Sequence, residues 1–354
     1  MMMKRSPLRR FIFYCVYFFA FILLFFVAGE ITTRILGFKS YHPEVRVTKV
    51  EGDKEFFVRD NELGFKSQEG YFKIEVDNTH SFYVNNEYSG FRVDNPYYST
   101  PYVTLPETWL FGCSLIHGWM LGDYNTIPFI LKEKFPLKAF KNYGMSGYST
   151  LQSLKVLQGQ LASINYRTRY KPIIIILAYA SFHDQRNSAS RFWMRAISTQ
   201  SIVDSFSIPF ARFGENDSLV YGVRTIDYNP WPLVRSSSFM HFLETRYDHY
   251  DEKKLRSHEV TLKLIDRFIS ICENNKIKFI LAGIDDDEIT KQTLDYYSKQ
   301  GVATVDVSSD LDDPDLTFLP FDPHPNAKGD SIMAEKLAAY LSSLPEINSN
   351  SEVD

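Results

Sequence analysis

The sequence predicts an α/β protein, a three-layer α/β/α sandwich with a five-stranded parallel sheet, preceded by one transmembrane helix and a small β-rich region. Three observations support this prediction. An uncharged run near the N-terminus is long enough to cross a bilayer, and short segments of alternating character follow it. From Thr108 onward, short apolar runs alternate with amphipathic stretches, which is typical of βα units in a parallel sheet.

The N-terminal run comprises residues 11–29, contains no charged residue and is bounded by Arg10 and Glu30. A helix of that length covers roughly 28 Å, close to the hydrocarbon thickness of a bilayer. Basic side chains precede the run, at Lys4, Arg5, Arg9 and Arg10. The positive-inside rule then places residues 1–10 in the cytoplasm. We therefore expect a single-pass inner-membrane protein that contacts the lipid bilayer through residues 11–29 and has a periplasmic or otherwise extracytoplasmic domain.

Two other interpretations of this run are a cleaved signal peptide and a buried core helix. A cleaved signal would have a shorter apolar core and small residues before the cut. Here Phe25, Phe26 and Val27 crowd the only candidate position, after Ala28. A helix in a soluble core has no need of apolar residues on every face. We favour an uncleaved anchor over both alternatives.

Composition excludes several classes of function. The formal net charge is −4 and no block of five like charges occurs, which argues against a nucleic-acid partner. The chain after the run holds all 43 acidic and 35 of the 39 basic residues, a net charge of −8 that does not favour anionic lipid headgroups. Three cysteines cannot form a disulfide framework and lack the spacing of zinc ligands. We expect neither a metal nor an organic cofactor.

The exported chain divides into a β-rich lead-in, residues 30–105, and an α/β domain, residues 106–344. Alternation at Glu44–Val50 and Phe72–Val76 indicates strands in the lead-in. In the α/β domain the predicted strands are Thr108–Cys113, Ala139–Tyr143, Pro172–Tyr179, Ile277–Ile284 and Val302–Val307. The predicted helices are Leu151–Ile164, His258–Glu273, Asp287–Lys299 and Asn326–Leu341. We interpret residues 184–254 as an insertion within this domain and residues 345–354 as a disordered tail.

Three short segments follow predicted strands or precede a helix, where the crevice of an open parallel sheet forms. Ser114 stands at a strand-to-helix corner, as a nucleophile or simply as a helix cap. Gly144 and Gly147 expose backbone N–H groups to a developing oxyanion, although an ordinary turn would have the same residues. His324 is held between two prolines, two residues after Asp322, and here we favour a function.

Together these segments supply a serine nucleophile, a histidine base, an aspartate and an oxyanion hole, the parts of serine-type acyl transfer. The order Ser…Asp…His resembles the SGNH (GDSL-like) hydrolase family, in its membrane-anchored bacterial type, over residues 108–343. The matching segments are FGCSLIHGW at 111–119, NYGMSGYST at 142–150 and, most specifically, FDPHPNAKGDSIMAEKLAAYL at 321–341.

The resemblance implies a flavodoxin-like sheet and a role for each matched residue. Ser114 would be the nucleophile, with its own N–H and that of Gly147 in the oxyanion hole. His324 would be the general base, oriented by Asp322. The implied activity is hydrolysis or transfer of an O-linked acyl group on a small molecule or envelope glycan. The alternative is a catalytically degenerate domain that binds or scaffolds components of envelope polysaccharide assembly.

Two departures from the family pattern leave alternatives open. His183 stands where the family has an asparagine that donates to the oxyanion, and Arg186 or Asn187 could reach the same point. The family aspartate lies three residues before the histidine, where this chain has Phe321. Asp322 is therefore one candidate to orient His324, and the others are Asp312, Asp313 and Asp315. His117, one turn after Ser114, is interpreted as a wall residue.

Overall fold

The computed structural model describes residues 7–93, 105–164, 171–203 and 206–348. The chain divides into two compact units. The smaller unit combines Met1–Glu44 with Tyr228–Asp251, and the larger unit combines Val45–Asp227 with Glu252–Asp354.

The described residues form fourteen strands and eleven α-helices. The strands are β1 (Thr48–Glu51), β2 (Phe57–Asp60), β3 (Gly64–Ser67), β4 (Gly70–Val76), β5 (His80–Asn86), β6 (Glu107–Gly112), β7 (Ala139–Gly144), β8 (Ile174–Tyr179), β9 (Ser207–Phe213), β10 (Leu219–Thr225), β11 (Lys278–Gly283), β12 (Ala303–Asp306), β13 (Thr317–Phe318) and β14 (Asp322–Pro325). The helices are α1 (Pro7–Ile35), α2 (Ser114–His117), α3 (Ile127–Lys134), α4 (Thr150–Ile164), α5 (His183–Asn187), α6 (Arg191–Ile197), α7 (Ser238–Lys254), α8 (Ser257–Asn274), α9 (Glu288–Ser298), α10 (Ala327–Leu341) and α11 (Pro345–Asn348).

A five-stranded parallel sheet is the centre of the larger unit. Its strand order is β12-β11-β8-β6-β7, and every neighbouring pair is parallel. Because side chains on a strand alternate between faces, Trp109 and Phe111 on β6 enter one core and Leu110 enters the other. β8 is buried along its whole length, which explains its unbroken run of isoleucines and leucine.

Helices cover both faces of this sheet, so the predicted three-layer α/β/α class is confirmed. Apolar residues of α4, α8 and α9 pack in the core on one face, and those of α3 and α10 pack in the core on the other. All five predicted strands and all four predicted helices are present, with bounds that differ by no more than two residues.

The lead-in is β-rich, as the alternation predicted. β1, β4 and β5 form an antiparallel sheet, and β2 pairs with β3 as a hairpin. Its inward residues, among them Phe72, Ile74 and Val84, join the same core as α4 and α8. The lead-in strands therefore pack on one face of the α/β sandwich, within the larger unit.

In the smaller unit, α1 is the one helix of the described residues that is long and apolar enough to cross a membrane. None of its most apolar window is buried, so the buried-core interpretation is wrong, whereas a membrane anchor and a signal sequence both fit. The Glu30 carboxylate accepts hydrogen bonds from the Ser237 hydroxyl at 2.6 Å and from the Phe239 N–H at 3.0 Å. Phe239 also packs against Phe25 and Phe26. The start of α7 is thereby tied to the end of the apolar run.

Two predicted boundaries require correction. Of the predicted insertion, residues 184–227 belong to the larger unit and include the β9–β10 hairpin, but residues 228–251 belong to the smaller unit with α1. The predicted tail begins too early, because Pro345–Asn348 form α11 and bury Ile347 against the α10 side of the core. Residues 349–354 lie outside the described part of the chain.

Candidate active site

The carboxyl ends of the parallel strands open onto a cavity of about 400 Å³. Ser114 follows β6, Ser146 and Gly147 follow β7, and Asp322 and His324 lie on β14, immediately before α10. All five residues line the cavity. The three sequence segments therefore meet at one crevice, as predicted.

Ser114 begins α2, a single turn that lies directly against the sheet. A Cβ atom at Gly144 would come within 2.6 Å of the His117 backbone nitrogen, so only glycine allows this approach. The Asn142 side chain secures the same contact, because its amide donates to the Ile116 carbonyl at 2.9 Å. The turn that presents Ser114 is thereby fixed to the end of β7.

Ser114, His324 and Asp322 form a continuous hydrogen-bonded chain. Ser114 Oγ lies 2.8 Å from His324 Nε2, and His324 Nδ1 lies 2.5 Å from Asp322 Oδ1. The same Asp322 oxygen also accepts the backbone N–H of His324 at 2.9 Å. These distances meet the geometric requirement for a nucleophile, a base and the group that orients the base.

Asp322 is therefore the carboxylate that contacts His324. Among the described residues no hydrogen bond or ion pair joins His324 to the other candidates, Asp312, Asp313 or Asp315. Burial raises the pKa of Asp322, but the hydrogen bonds and charge of His324, with the nearby charge of Arg46, outweigh burial and hold the pKa below its usual value. Asp322 is thus kept ionised beside the imidazole.

The backbone N–H groups of Ser114 and Gly147 have no acceptor within the described protein. Gly147 has φ +81°, a left-handed conformation that favours glycine. Gly147 lines the same cavity as Ser114. Both residues match the oxyanion positions that the resemblance implied.

The structure does not bring His183 into this cavity. His183 is fully buried, neither ring nitrogen has a hydrogen-bond partner, and its ring packs edge-on against Phe182. Burial, followed by the charge of Arg186, holds the pKa of His183 well below its usual value, so the ring is neutral. Because β8 ends in a tight turn into α5, the residue that aligns with the family asparagine points into the protein. The prediction of His183 as an oxyanion donor is not supported by this placement.

The other two candidates for that donor are clearly separated by the structure. Asn187 is buried with both ends of its amide bonded, because Oδ1 accepts from the Leu151 N–H and Nδ2 donates to Thr261 Oγ1, both at 2.8 Å. Arg186, by contrast, lines the cavity together with Ser114 and Gly147.

Two arginines of the lead-in also contribute to the site, and the sequence analysis missed both. Arg46 donates to the Phe321 carbonyl, and its guanidinium lies 3.7 Å from Asp322 Oδ2. Arg92 is fully buried, pairs with Asp123 at 2.7 Å and donates to the carbonyls of His117, Gly118 and Leu121. Single arginines in alternating strand sequence give no signal of such long-range contacts.

His117 is fully buried and does not line the cavity, so its interpretation as a wall residue is wrong. Its Nδ1 lies 3.5 Å from Ser146 Oγ. Burial, with the neighbouring Arg92 and His324, lowers the pKa of His117 well below its usual value. His117 is therefore a neutral ring that supports the loop carrying Gly147.

The rest of the cavity wall is largely apolar. It includes residues of the lead-in, of the segment after α2, of α6 and of the turn that follows α6, namely Phe57, Val76, Trp119, Trp193, Ala196, Ile197, Ile202 and Val203. Such a wall excludes water and strengthens electrostatic interactions at the Ser114 side of the cavity.

No family model and no curated protein matches this sequence. Solved structures with a similar fold include a member of the lipolytic protein G-D-S-L family from Veillonella parvula DSM 2008, with 15% identity and TM-score 0.39, covering 67% of this chain and 99% of that one. Another is AlinE4, an SGNH-hydrolase family esterase, with 14% identity and TM-score 0.36, covering 69% and 99%. A third is LAE5, an alpha/beta hydrolase enzyme from the metagenome of Lake Arreo, Spain, with 14% identity and TM-score 0.36, covering 67% and 95%.

Proposed function

We propose that this protein is a serine-dependent ester hydrolase or O-acyl transferase that forms an acyl-enzyme on Ser114. The observation that supports it most strongly is the hydrogen bond between Ser114 Oγ and His324 Nε2 at 2.8 Å. His324 would accept the hydroxyl proton as the oxygen attacks an ester carbonyl. Asp322, ionised and bonded to Nδ1, would stabilise the resulting imidazolium.

The free N–H groups of Ser114 and Gly147 would stabilise the oxyanion of the tetrahedral intermediate. Its collapse breaks the bond to the leaving alcohol, which takes the proton from His324. In the second half of the reaction, water or a sugar hydroxyl attacks the acyl-serine and gives its proton to His324. As the bond between the acyl carbon and Ser114 Oγ breaks, His324 would return that proton to Oγ, so the products are a carboxylic acid or a new ester and the free serine hydroxyl.

The same geometry argues against the alternative of a degenerate scaffolding domain. A binding module has no need for a serine, a histidine and an ionised aspartate in hydrogen-bonded sequence, nor for unpaired amides beside the serine. A separation of Ser114 and His324 beyond the reach of a bridging water would have favoured the scaffold. The 2.8 Å distance supports catalysis instead.

For the substrate, we propose an acylated component of the cell envelope such as an O-acetylated glycan. The apolar wall and the volume of about 400 Å³ suit a short acyl group. Residues 11–29 would hold the enzyme in the inner membrane, with the catalytic domain on the extracytoplasmic side. The intact mass of protein recovered from membranes tests the anchor, because cleavage after Ala28 would remove the N-terminal residues.

A fluorophosphonate probe tests the proposed nucleophile directly. The full chain in detergent should be labelled once, and Ser114→Ala should abolish labelling. Ser146→Ala is the matched control, because Ser146 is a second serine on the same cavity wall. Labelling that persists in Ser114→Ala, or no labelling of folded wild-type protein, would contradict the proposal. Acetate release from isolated O-acetylated envelope glycans, compared between wild type and Ser114→Ala, then tests the substrate.

A further inference from the structure

Arg186 is a cation at the cavity wall with no acidic partner. No carboxylate among the described residues forms an ion pair with it, and its only hydrogen-bond acceptor on the main chain is the Tyr148 carbonyl, at 3.0 Å. Its guanidinium is instead held between two aromatic rings, 4.5 Å from the centroid of Phe182 and 4.6 Å from that of Trp193. A cation withdrawn from water without a counter-charge is costly, so this arrangement favours a negative charge in the cavity.

The contacts of Arg186 place it beside both of the free amides. The carbonyl that accepts its hydrogen bond belongs to Tyr148, the residue after Gly147. Its guanidinium also lies against the side chain of Cys113, the residue before Ser114. Arg186, Ser114 and Gly147 all line the same cavity. The guanidinium thus contacts the chain neighbours of both Ser114 and Gly147 and shares a cavity with them.

We propose that Arg186 is the third donor of the oxyanion hole, in place of the asparagine that this chain lacks. The inference rests on the proposed acyl-transfer function. Arg186 is the only one of the three sequence candidates that the structure brings to the cavity, because His183 points into the core and the Asn187 amide is already used.

The chemistry of a guanidinium suits this position. An arginine has five N–H donors in a fixed plane and stays charged at every working pH. Packing between Phe182 and Trp193 fixes that plane before substrate arrives, so no reorganisation is needed as the carbonyl oxygen becomes negative. A full positive charge would stabilise the oxyanion more strongly than a neutral amide does.

The test compares steady-state hydrolysis of p-nitrophenyl acetate, a neutral ester, by the full chain in detergent and by two variants. Arg186→Gln should lower kcat by about 10²–10³-fold with little change in KM, because the interaction forms only in the transition state. Arg186→Lys keeps the charge, so its kcat should fall less than that of Arg186→Gln. If Arg186→Gln does not fold, Arg186→Lys remains informative, since it should still lower kcat rather than raise KM.

Arg212→Gln is the matched control. Arg212 also donates to backbone carbonyls and stacks on an aromatic ring, that of Phe210, but it does not line the cavity. Its variant should keep wild-type kcat.

Three results would overturn the inference. In the first, Arg186→Gln hydrolyses the neutral ester at the wild-type rate, which would indicate a site for a substrate carboxylate. In the second, Arg186→Lys raises KM at unchanged kcat. In the third, Arg212→Gln loses as much activity as Arg186→Gln. Absence of any wild-type turnover or fluorophosphonate labelling would instead refute the proposed function, and with it the inference.

Discussion

Replacement of Asp322 by asparagine isolates the electrostatic part of the proposed mechanism. The substitution preserves the shape of the side chain but removes its charge. Asp322 Oδ1 is 2.5 Å from His324 Nδ1 and also accepts the His324 backbone N–H. An asparagine oxygen can still accept from both donors but carries no charge. When its NH₂ group faces Nδ1 instead, it favours the tautomer with the proton on Nε2, which cannot accept the Ser114 proton.

The magnitude follows from the charge separation and from burial. An aspartate and an imidazolium in this contact have charge centres about 4 Å apart, which at an effective dielectric constant of about 20 corresponds to about 4 kcal/mol. Asp322 is only 7% exposed, so the value for bulk water, about 1 kcal/mol, does not apply. A loss of about 4 kcal/mol in the transition state lowers kcat about 10³-fold, and the tautomer effect extends the range to about 10⁴-fold.

The assay is the initial rate of p-nitrophenyl acetate hydrolysis by the full chain, with thermal unfolding to verify that the variant is folded. Asp315→Asn is the matched control, because Asp315 is an exposed carboxylate nearby in sequence without contact to His324. We expect it to keep wild-type activity. Activity of Asp322→Asn within tenfold of wild type, or an equal loss in Asp315→Asn, would refute the reasoning.

Three further predictions concern the residues around the site. Arg46→Gln should lower kcat about tenfold and should lower the free energy of unfolding by about 1.5–3 kcal/mol. Lys49→Ala, an exposed control on β1, should change the free energy of unfolding by no more than about 1 kcal/mol. Equal effects of the two substitutions would contradict this prediction. Arg92→Met should lower the free energy of unfolding by about 3–5 kcal/mol in urea titration, because it leaves a buried carboxylate unpaired, and a loss below about 1 kcal/mol would be inconsistent with that pair. The hydrogen bond to Asp184 raises the pKa of His258. The free energy of unfolding of wild type should therefore exceed that of His258→Gln by its full amount below about pH 6.5, and this difference should decrease as pH rises through the raised pKa. Unfolding measured at two pH values would show the opposite trend if the pairing is wrong.

Periodicity was sufficient for the α/β part of the fold. β8 is buried on both faces and therefore reads as an unbroken apolar run, and α8 presents one apolar face to the sheet. Patterns of this kind are local, so the sequence reveals them without knowledge of the partners. The division of residues 184–254 between two units is not local, because it depends on contacts of residues 228–251 with the N-terminal segment.

Part of the candidate site was also predictable from the sequence. Ser114, Gly147 and His324 lie at strand ends and helix starts, where topology brings them together without further information. The sequence could not show which acidic residue before His324 orients the imidazole ring, because that depends on a side-chain distance. Asp322 is selected because its carboxylate lies 2.5 Å from the ring.

The roles of Arg46 and Arg92 could not be predicted. Arg46 and Arg92 reach the site from the lead-in, across long sequence separations and from segments outside its strands, where the sequence pattern shows no sign of such contacts. His183 occupies the family position by alignment, but the turn after β8 directs it into the core and brings Arg186 to the cavity instead. Alignment of a motif fixes the place of a residue along the chain and does not fix the direction of its side chain.

The measurement that tests the central claim most directly is detection of the acyl-enzyme. The full chain would be mixed with p-nitrophenyl acetate, quenched in acid during the first turnover, and its peptides analysed by mass spectrometry. The proposed mechanism predicts one acetyl group on Ser114 in the wild type and neither acetylation nor turnover in Ser114→Ala. Ester turnover that continues in Ser114→Ala, or wild-type turnover without any acetylated Ser114, would contradict it.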